Sequence, residues 1–338
     1  MPPATEDAQR VDAVVIGRNE GARLTECLAS LKGRVDRIVY VDSGSDDGSP
    51  EAARDAGACV VALDMARPFS AARARNAGIQ ALAGDPPALI QFVDADCTLQ
   101  PGWIATAARF MRDNASVAVT CGRRRERFPQ ASIYNLLCDW EWDTAIGEAS
   151  ACGGDALIRY DALSAVGGYR DDAIAGEEGE MCQRLRNAGW RVWRLDEEMT
   201  LHDAAITRLG AFWRRAVRAG HAFAQIATLH PGHYRAERRR ALFWAAGLPA
   251  GLAAGLALSP GLALGAGLAL YGASVARMAL RLRQRGFTTR QAGRAAALLM
   301  LSKFANLQGM ALWHWRRLRG APAGIIEYKP AARAGRTE

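Results

Sequence analysis

Apolar runs recur through the first two hundred residues at 13–16, 38–41, 59–63 and 88–93, and stretches with helical spacing separate them. Alternation of this kind predicts an α/β fold with a mostly parallel sheet and flanking helices. Leu24, Leu28 and Leu31 fall at helical spacing and predict a first helix with one core face. Ser49-Pro50 reads as an N-cap followed by proline at the first helical position. A third helix is expected from Ser70 to about Ala83, and a fourth from Trp103 to Met111 after Pro101-Gly102. Val117-Ala118-Val119 and Val192-Trp193-Arg194-Leu195 supply further strand-like runs.

Beyond Ile206 the pattern changes. Between Arg240 and Arg277 lie 36 consecutive residues without a charged side chain. Residues 241–258 and 261–280, split by Ser259-Pro260-Gly261, are each near the ~20 residues a membrane-spanning helix requires, so 241–280 reads as a transmembrane hairpin. Arg235, Arg238, Arg239 and Arg240 precede it and Arg277, Arg281, Arg283 and Arg285 lie at or after its end, which predicts that both ends are cytoplasmic. A further apolar stretch, 295–315, contains Lys303, Asn306 and Gln308 and reads as an interfacial helix. The chain thus divides into a catalytic or ligand-binding region, 1–205, and a basic helical membrane region, 206–338.

Charge sharpens that division. The net charge of +8 is the sum of −10 over residues 1–205 and +18 over residues 206–338. A basic segment seeks phosphates, and the long charge-free run selects membrane lipids over nucleic acid as its partner. Seven cysteines, widely spaced and without a Cys-x-x-Cys pair, fit core residues of a reduced compartment. The polar, acidic Met1–Asp7 segment lacks a secretory signal, so the acidic region is expected on the cytoplasmic face of the inner membrane.

The candidate chemistry lies at strand ends. Asp94-Ala95-Asp96 follows the apolar run ending at Val93, at the sheet edge where α/β folds bind ligands. Paired carboxylates there suit Mg2+ or Mn2+ bound together with substrate phosphates, which points to a nucleotide diphosphate. Two other strand ends are also polar, Gly17-Arg18-Asn19-Glu20 and Asp42-Ser43-Gly44-Ser45-Asp46-Asp47-Gly48-Ser49, and the three together describe a nucleotide pocket. Arg75 is the candidate for forking onto diphosphate oxygens, with Arg73 as a solvent-facing neighbour. Glu177, Glu178 and Glu180 precede a helix from Met181 and supply a candidate base. His202 follows a strand-like run and can complete a metal shell. Trp140 and Trp142 are candidates for stacking on sugar faces or for the core, and Arg123, Arg124, Arg125 and Arg127 for a lipid phosphate or a solvated strand end.

In order and spacing these residues resemble family 2 glycosyltransferases of the GT-A fold. The resemblance rests on Val-Ile-Gly-Arg-Asn-Glu at 15–20, Val-Asp-Ser-Gly-Ser-Asp-Asp-Gly-Ser at 41–49, Ala-Arg-Asn-Ala-Gly at 74–78 and Asp-Ala-Asp at 94–96. Val-Gly-Gly-Tyr at 166–169, Glu-Glu-Gly-Glu at 177–180 and Leu-His-Asp at 201–203 complete it, over about residues 11–205. It implies that Asp42 recognises the base with Glu20 beside it, that Arg75 lies near the nucleotide and diphosphate, and that Asp94 borders ribose and metal. It further implies Asp96 and His202 as metal ligands and Glu178 as the base, with Glu177 beside it in the substrate pocket. The family's Glu-Asp pair is here Glu177-Glu178, one methylene longer at the second position, which leaves Glu177 and Glu180 as rival proton acceptors. The Gln-x-x-Arg-Trp motif of processive synthases is missing where Phe212–Arg218 stands, which implies one sugar per encounter. The expected activity is inverting, metal-dependent transfer from a nucleotide-diphosphate sugar, UDP in the first instance, to a hydroxyl of a lipid-linked or glycan acceptor. Two rivals are a sugar-phosphate nucleotidyltransferase, whose glycine-rich loop after the first strand is not present, and a non-catalytic membrane scaffold.

Overall fold

A computed structural model describes residues 9–320 and Ile326; the Met1–Asp7 segment and the chain beyond Ile326 lie outside the described residues. The described residues form two compact units, one of those up to Phe128 together with Cys138–Ala204, the other of Pro129–Leu137 and those from Ala205 on. Pro129–Leu137 thus groups with the residues from Ala205 on.

The first unit follows the order β1 (Val11–Gly17), α1 (Ala22–Leu31), β2 (Arg37–Asp42), α2 (Ser49–Asp55), β3 (Cys59–Ala62), α3 (Ala71–Leu82), β4 (Leu89–Asp94) and β5 (Cys97–Leu99). It continues with α4 (Trp103–Asp113), β6 (Val117–Glu126), α5 (Ile133–Glu141, shared with the second unit), β7 (Gly147–Ala149), β8 (Ala156–Arg159), α6 (Tyr160–Ala165), α7 (Glu177–Asn187) and β9 (Arg191–His202). These strands make one nine-stranded sheet in the order β3-β2-β1-β4-β8-β6-β9-β5, with β7 also on β9. The β3-β2-β1-β4 half is parallel. Past β4, β8 runs antiparallel between β4 and β6, while β6 and β9 are parallel.

Strand β1 is buried along its first six residues and β4 along its first five, without alternation, as expected of strands covered on both faces. Helix α1 buries Leu24, Cys27, Leu28 and Leu31 against them. Helix α3 begins as expected, the Ser70 side chain accepting from Arg73 N. Helix α2 does not: its N-cap is Gly48 at φ 80°, and Ser49 is already helical, its hydroxyl donating to Asp47 at 2.6 Å. The αL cap favours glycine, so the capping role passes one residue back. Helix α7 starts earlier than expected, which places Glu177, Glu178 and Glu180 inside its first turn.

In the second unit α8 (Leu209–Leu229) is followed by α9 (Arg235–Leu242), a π turn at Phe243–Gly247, α10 (Leu248–Leu258), α11 (Pro260–Gln284) and α12 (Thr289–Leu318). Three stretches, Arg235–Leu258, Pro260–Gln284 and Thr289–Leu318, are long and apolar enough to cross a membrane. The break falls at Ser259, but the helix read as interfacial over 295–315 spans 30 residues and meets the same length criterion as the hairpin. It starts earlier because Thr288 and Gln291 form a capping box. The polar side chains that suggested an interface are satisfied inside the unit: Asn306 Nδ2 donates to Ala216 O at 2.8 Å and Trp213 Nε1 donates to Gln308 Oε1 at 2.8 Å.

Helices α8 and α12 approach at backbone distance. A Cβ on Gly309 would stand 2.0 Å from Val217 O, and one on Gly220 2.1 Å from Asn306 O. Gly309→Ala is therefore expected to force the pair apart and lower stability by about 1–3 kcal/mol, read as a drop in melting temperature of the detergent-solubilised chain.

Candidate active site

Parallel register brings the polar strand ends to one edge: Gly17 of β1 pairs with Asp42 of β2, and Ile16 with Asp94 of β4. Asp94 is held from two sides. Its backbone N donates to Asp155 Oδ1 at 3.0 Å, and its Oδ1 accepts from Arg75 Nη2 at 2.9 Å. Asp155 is fully buried, accepts from Thr200 Oγ1 at 2.7 Å and pairs with Arg124 at 3.0 Å. The chain can pass this close only at Gly154, where a Cβ would stand 2.6 Å from Asp94 Oδ2.

Arg75 joins the acidic strand end to α7. Its buried guanidinium contacts Asp94 at 2.9 Å, Glu177 at 2.9 Å and Glu178 at 3.2 Å, and lies over the Tyr169 ring. The arginine expected to fork onto a diphosphate is thus engaged by three carboxylates, while its Nε has no partner among the described residues. The three glutamates of α7 differ in setting. Glu180 is buried and gripped by Arg184 at 2.7 Å, a contact within the helix. Glu177 keeps 3% of its side chain exposed and Glu178 18%, so of these two Arg75 partners Glu178 is the more accessible. Burial, then the neighbouring Glu177 charge, push the Glu178 carboxyl up from 4.5 to about 7.

Asp96, Cys97 and His202 form a buried cluster whose donor atoms all lie within 4.8 Å of one another. His202 Nε2 stands 3.3 Å from Asp96 Oδ1. Burial, then the Arg124 charge, hold the imidazole down at about 4, so it is neutral with a free lone pair. Its buried Nδ1 has no partner among the described residues. A carboxylate facing Nε2 of a neutral imidazole is a donor set for a divalent cation such as Mn2+. The Trp142 ring packs edge-on to His202 at 4.6 Å, with the Arg124 guanidinium over its face.

Other expected residues take different places. Asp42 is buried and closes its own loop, accepting from Tyr40 Oη at 3.0 Å, Gly44 N at 3.0 Å and Ser45 N at 2.9 Å. Glu20 pairs with Arg23 at 2.7 Å. Arg73 is not solvent-facing but buried, donating to the carbonyls of Asp64, Arg67 and Pro68. The arginines of β6 and its exit are engaged by acids of the same unit: Arg123 by Asp139 at 3.0 Å, Arg124 by Asp155, Arg125 by Glu198 at 2.6 Å and Arg127 by Glu26. Arg123, Arg124 and Arg127 are thus drawn into the unit, while the Arg125–Glu198 pair stays exposed as a solvated strand end. Sequence reasoning missed Asp155, Arg124's partnership with it, and Cys97. Gly153-Gly154-Asp155 before the short β8 was the available signal.

Residues 12–143 match the family described as Glycosyl transferase family 2. The succinoglycan biosynthesis protein ExoA of Rhizobium meliloti is 27% identical over 63% of this chain and 64% of its own length. The pre-mycofactocin glycosyltransferase of Mycobacterium tuberculosis is 28% identical over 68% of this chain and 50% of its own. The matched stretch thus spans between half and two thirds of these two curated relatives. A mannosyltransferase from Pyrobaculum calidifontis, solved in complex with GDP-Man and Mn2+, superposes with a TM-score of 0.55 at 21% identity, over 87% of each chain, and shows the same fold.

Proposed function

We propose that the chain is a family 2 glycosyltransferase of GT-A fold that moves a single sugar, with inversion, from a nucleotide-diphosphate sugar to a hydroxyl of a lipid-linked or membrane-associated acceptor in envelope or exopolysaccharide assembly. The observation that carries the reading is the convergence, through Arg75, of the acidic strand end at Asp94 with the accessible Glu178 on α7.

In this reading Glu178 takes the acceptor's hydroxyl proton while the acceptor oxygen bonds to the anomeric carbon and the bond to the diphosphate oxygen breaks. Asp96 and His202 would hold a divalent cation, whose charge would offset that of the departing diphosphate. Asp94 would border the ribose beside it. Asp42, with Glu20 nearby, lies along the base, its turn being preformed by its own hydrogen bonds. Arg75 fixes Asp94, Glu177 and Glu178 in one arrangement and balances their charge. Three apolar helices favour an acceptor presented at a bilayer, and the succinoglycan relative favours exopolysaccharide.

The test is thermal unfolding of the full chain with UDP and GDP, each with and without Mn2+. A saturating diphosphate at about 100 times its Kd should add about 2.7 kcal/mol. Asp96→Ala should lose the Mn2+-dependent part of that gain. Stabilisation by neither nucleotide would overturn the reading.

A further inference from the structure

We propose that Cys97 is a third ligand of the metal centre and that the site therefore takes Zn2+ or Co2+ in preference to Mg2+. The inference rests on the reading of Asp96 and His202 as the metal pair, and it adds a thiolate that this reading does not require.

Backbone register makes the juxtaposition. Strands β5 and β9 are antiparallel, and Cys97 stands directly opposite His202, so both side chains project from the same face of the sheet. Asp96, one residue earlier, is where the chain turns into β5, and its O accepts from Asp203 N at 3.1 Å. All three side chains are buried, with relative exposures of 7% for Asp96, 0% for Cys97 and 5% for His202.

The donor separations are compatible with a shared tetrahedral ion. Zinc bonds of about 2.0–2.1 Å to nitrogen or oxygen and about 2.3 Å to sulfur, at tetrahedral angles, place the donors about 3.3 Å apart for an oxygen–nitrogen pair and about 3.5 Å for a sulfur–oxygen pair. The Asp96 Oδ1 to His202 Nε2 separation is 3.3 Å and the Cys97 Sγ to Asp96 Oδ1 separation 3.5 Å. Octahedral Mg2+ at about 2.1 Å would set adjacent ligands about 3.0 Å apart. The thiol is the softest donor in the cluster, and thiolate selects zinc-like ions over hard ones. Binding forms one sulfur–metal bond and releases the thiol proton to solvent. Three protein ligands leave a fourth position for water or a diphosphate oxygen.

The full chain in detergent micelles, titrated with Co2+, tests this. One equivalent should give the intense visible bands of tetrahedral cobalt together with a near-ultraviolet thiolate-to-cobalt charge-transfer band. Cys97→Ser should abolish the charge-transfer band and weaken Zn2+, measured against a chromophoric chelator, by at least the roughly 10- to 100-fold that outer partners of a metal site contribute, while weakening Mn2+ far less. A pale octahedral spectrum without charge transfer, in protein still stabilised by UDP with Mn2+, overturns the thiolate ligand and leaves the glycosyltransferase metal site standing; the thiol then only donates to Asp96. Failure to bind any divalent ion, with or without nucleotide, overturns both. The wild-type spectrum decides the matter even if Cys97→Ser fails to fold.

Discussion

Glu178→Gln is expected to lower the transfer rate by about 10²–10⁴-fold while raising the melting temperature at pH 8. The two effects share one cause. A carboxylate able to take a proton near neutral pH must be held where its charge is disfavoured, and burial beside Glu177 does this, lifting the group from 4.5 to about 7. Because the folded-state value lies above the unfolded one, the fold binds the proton more tightly, and stability is lost as pH rises from 4.5 through about 7. Glutamine is neutral at every pH, so the variant should escape that loss, a gain of at most about 3 kcal/mol at pH 8 that vanishes below pH 4.5. In the wild type, kcat/KM should rise with an acid limb near 7. Paired pH series of melting temperature and kcat/KM check both halves. Loss of activity together with a lower melting temperature at pH 8 would make Glu178 a structural residue, and retained activity would return the base role to Glu177. Glu180 is the weaker rival, because Arg184 holds it at three contacts of 3.0, 2.9 and 2.7 Å.

What the sequence made legible is what short-range periodicity encodes. Strands buried on both faces read as continuous apolar runs, as β1 and β4 do, and the apolar runs of β2 and β3 also lie within a residue or two of their expected positions. Three Leu at helical spacing marked the buried face of α1. Parallel pairing then carried every polar strand end to one edge, which is why Asp42 and Asp94 could be grouped without coordinates. The antiparallel half was less legible. Asp155 precedes a strand of four residues and acquires its meaning only from Arg124, Thr200 and the Asp94 backbone, all distant in sequence. The arginines around β6 looked unpaired because an acid such as Glu198 lies 73 residues from its partner Arg125. Asn306 and Gln308 argued for a headgroup setting until α8 supplied their partners, since a polar side chain in an apolar helix carries no mark of whether water or a neighbouring helix will satisfy it.

Arg75→Ala should be the most destabilising single substitution in the catalytic unit, and its cost should depend on pH. The side chain is 2% exposed and contacts Asp94, Glu177 and Glu178 at 2.9, 2.9 and 3.2 Å. Removing it leaves neighbouring carboxylates in a buried site without their cation, for which about 3–5 kcal/mol is the expected penalty at pH 8. Deprived of the guanidinium, the Glu178 carboxyl must rise further, since Arg75 now acts to lower it. The variant should therefore recover stability as pH falls toward the unfolded carboxyl value, and its acid limb of kcat/KM should move upward. Denaturant unfolding at pH 8 and pH 5.5 measures this directly. An equal loss at both would mean that Arg75 acts through packing on Tyr169, with which it makes a cation–π contact at 5.4 Å, and not through charge. Arg75→Lys separates the two contributions again. It keeps the positive charge but not the fork that reaches Asp94 through one nitrogen and the glutamates through the other, so it should recover part of the stability at pH 8 while leaving Glu178 misplaced for catalysis. Adding Glu177→Gln to Arg75→Ala removes one of the stranded charges, and a partial return of the melting temperature in the double variant would identify repulsion among these carboxylates as the strain that the arginine relieves.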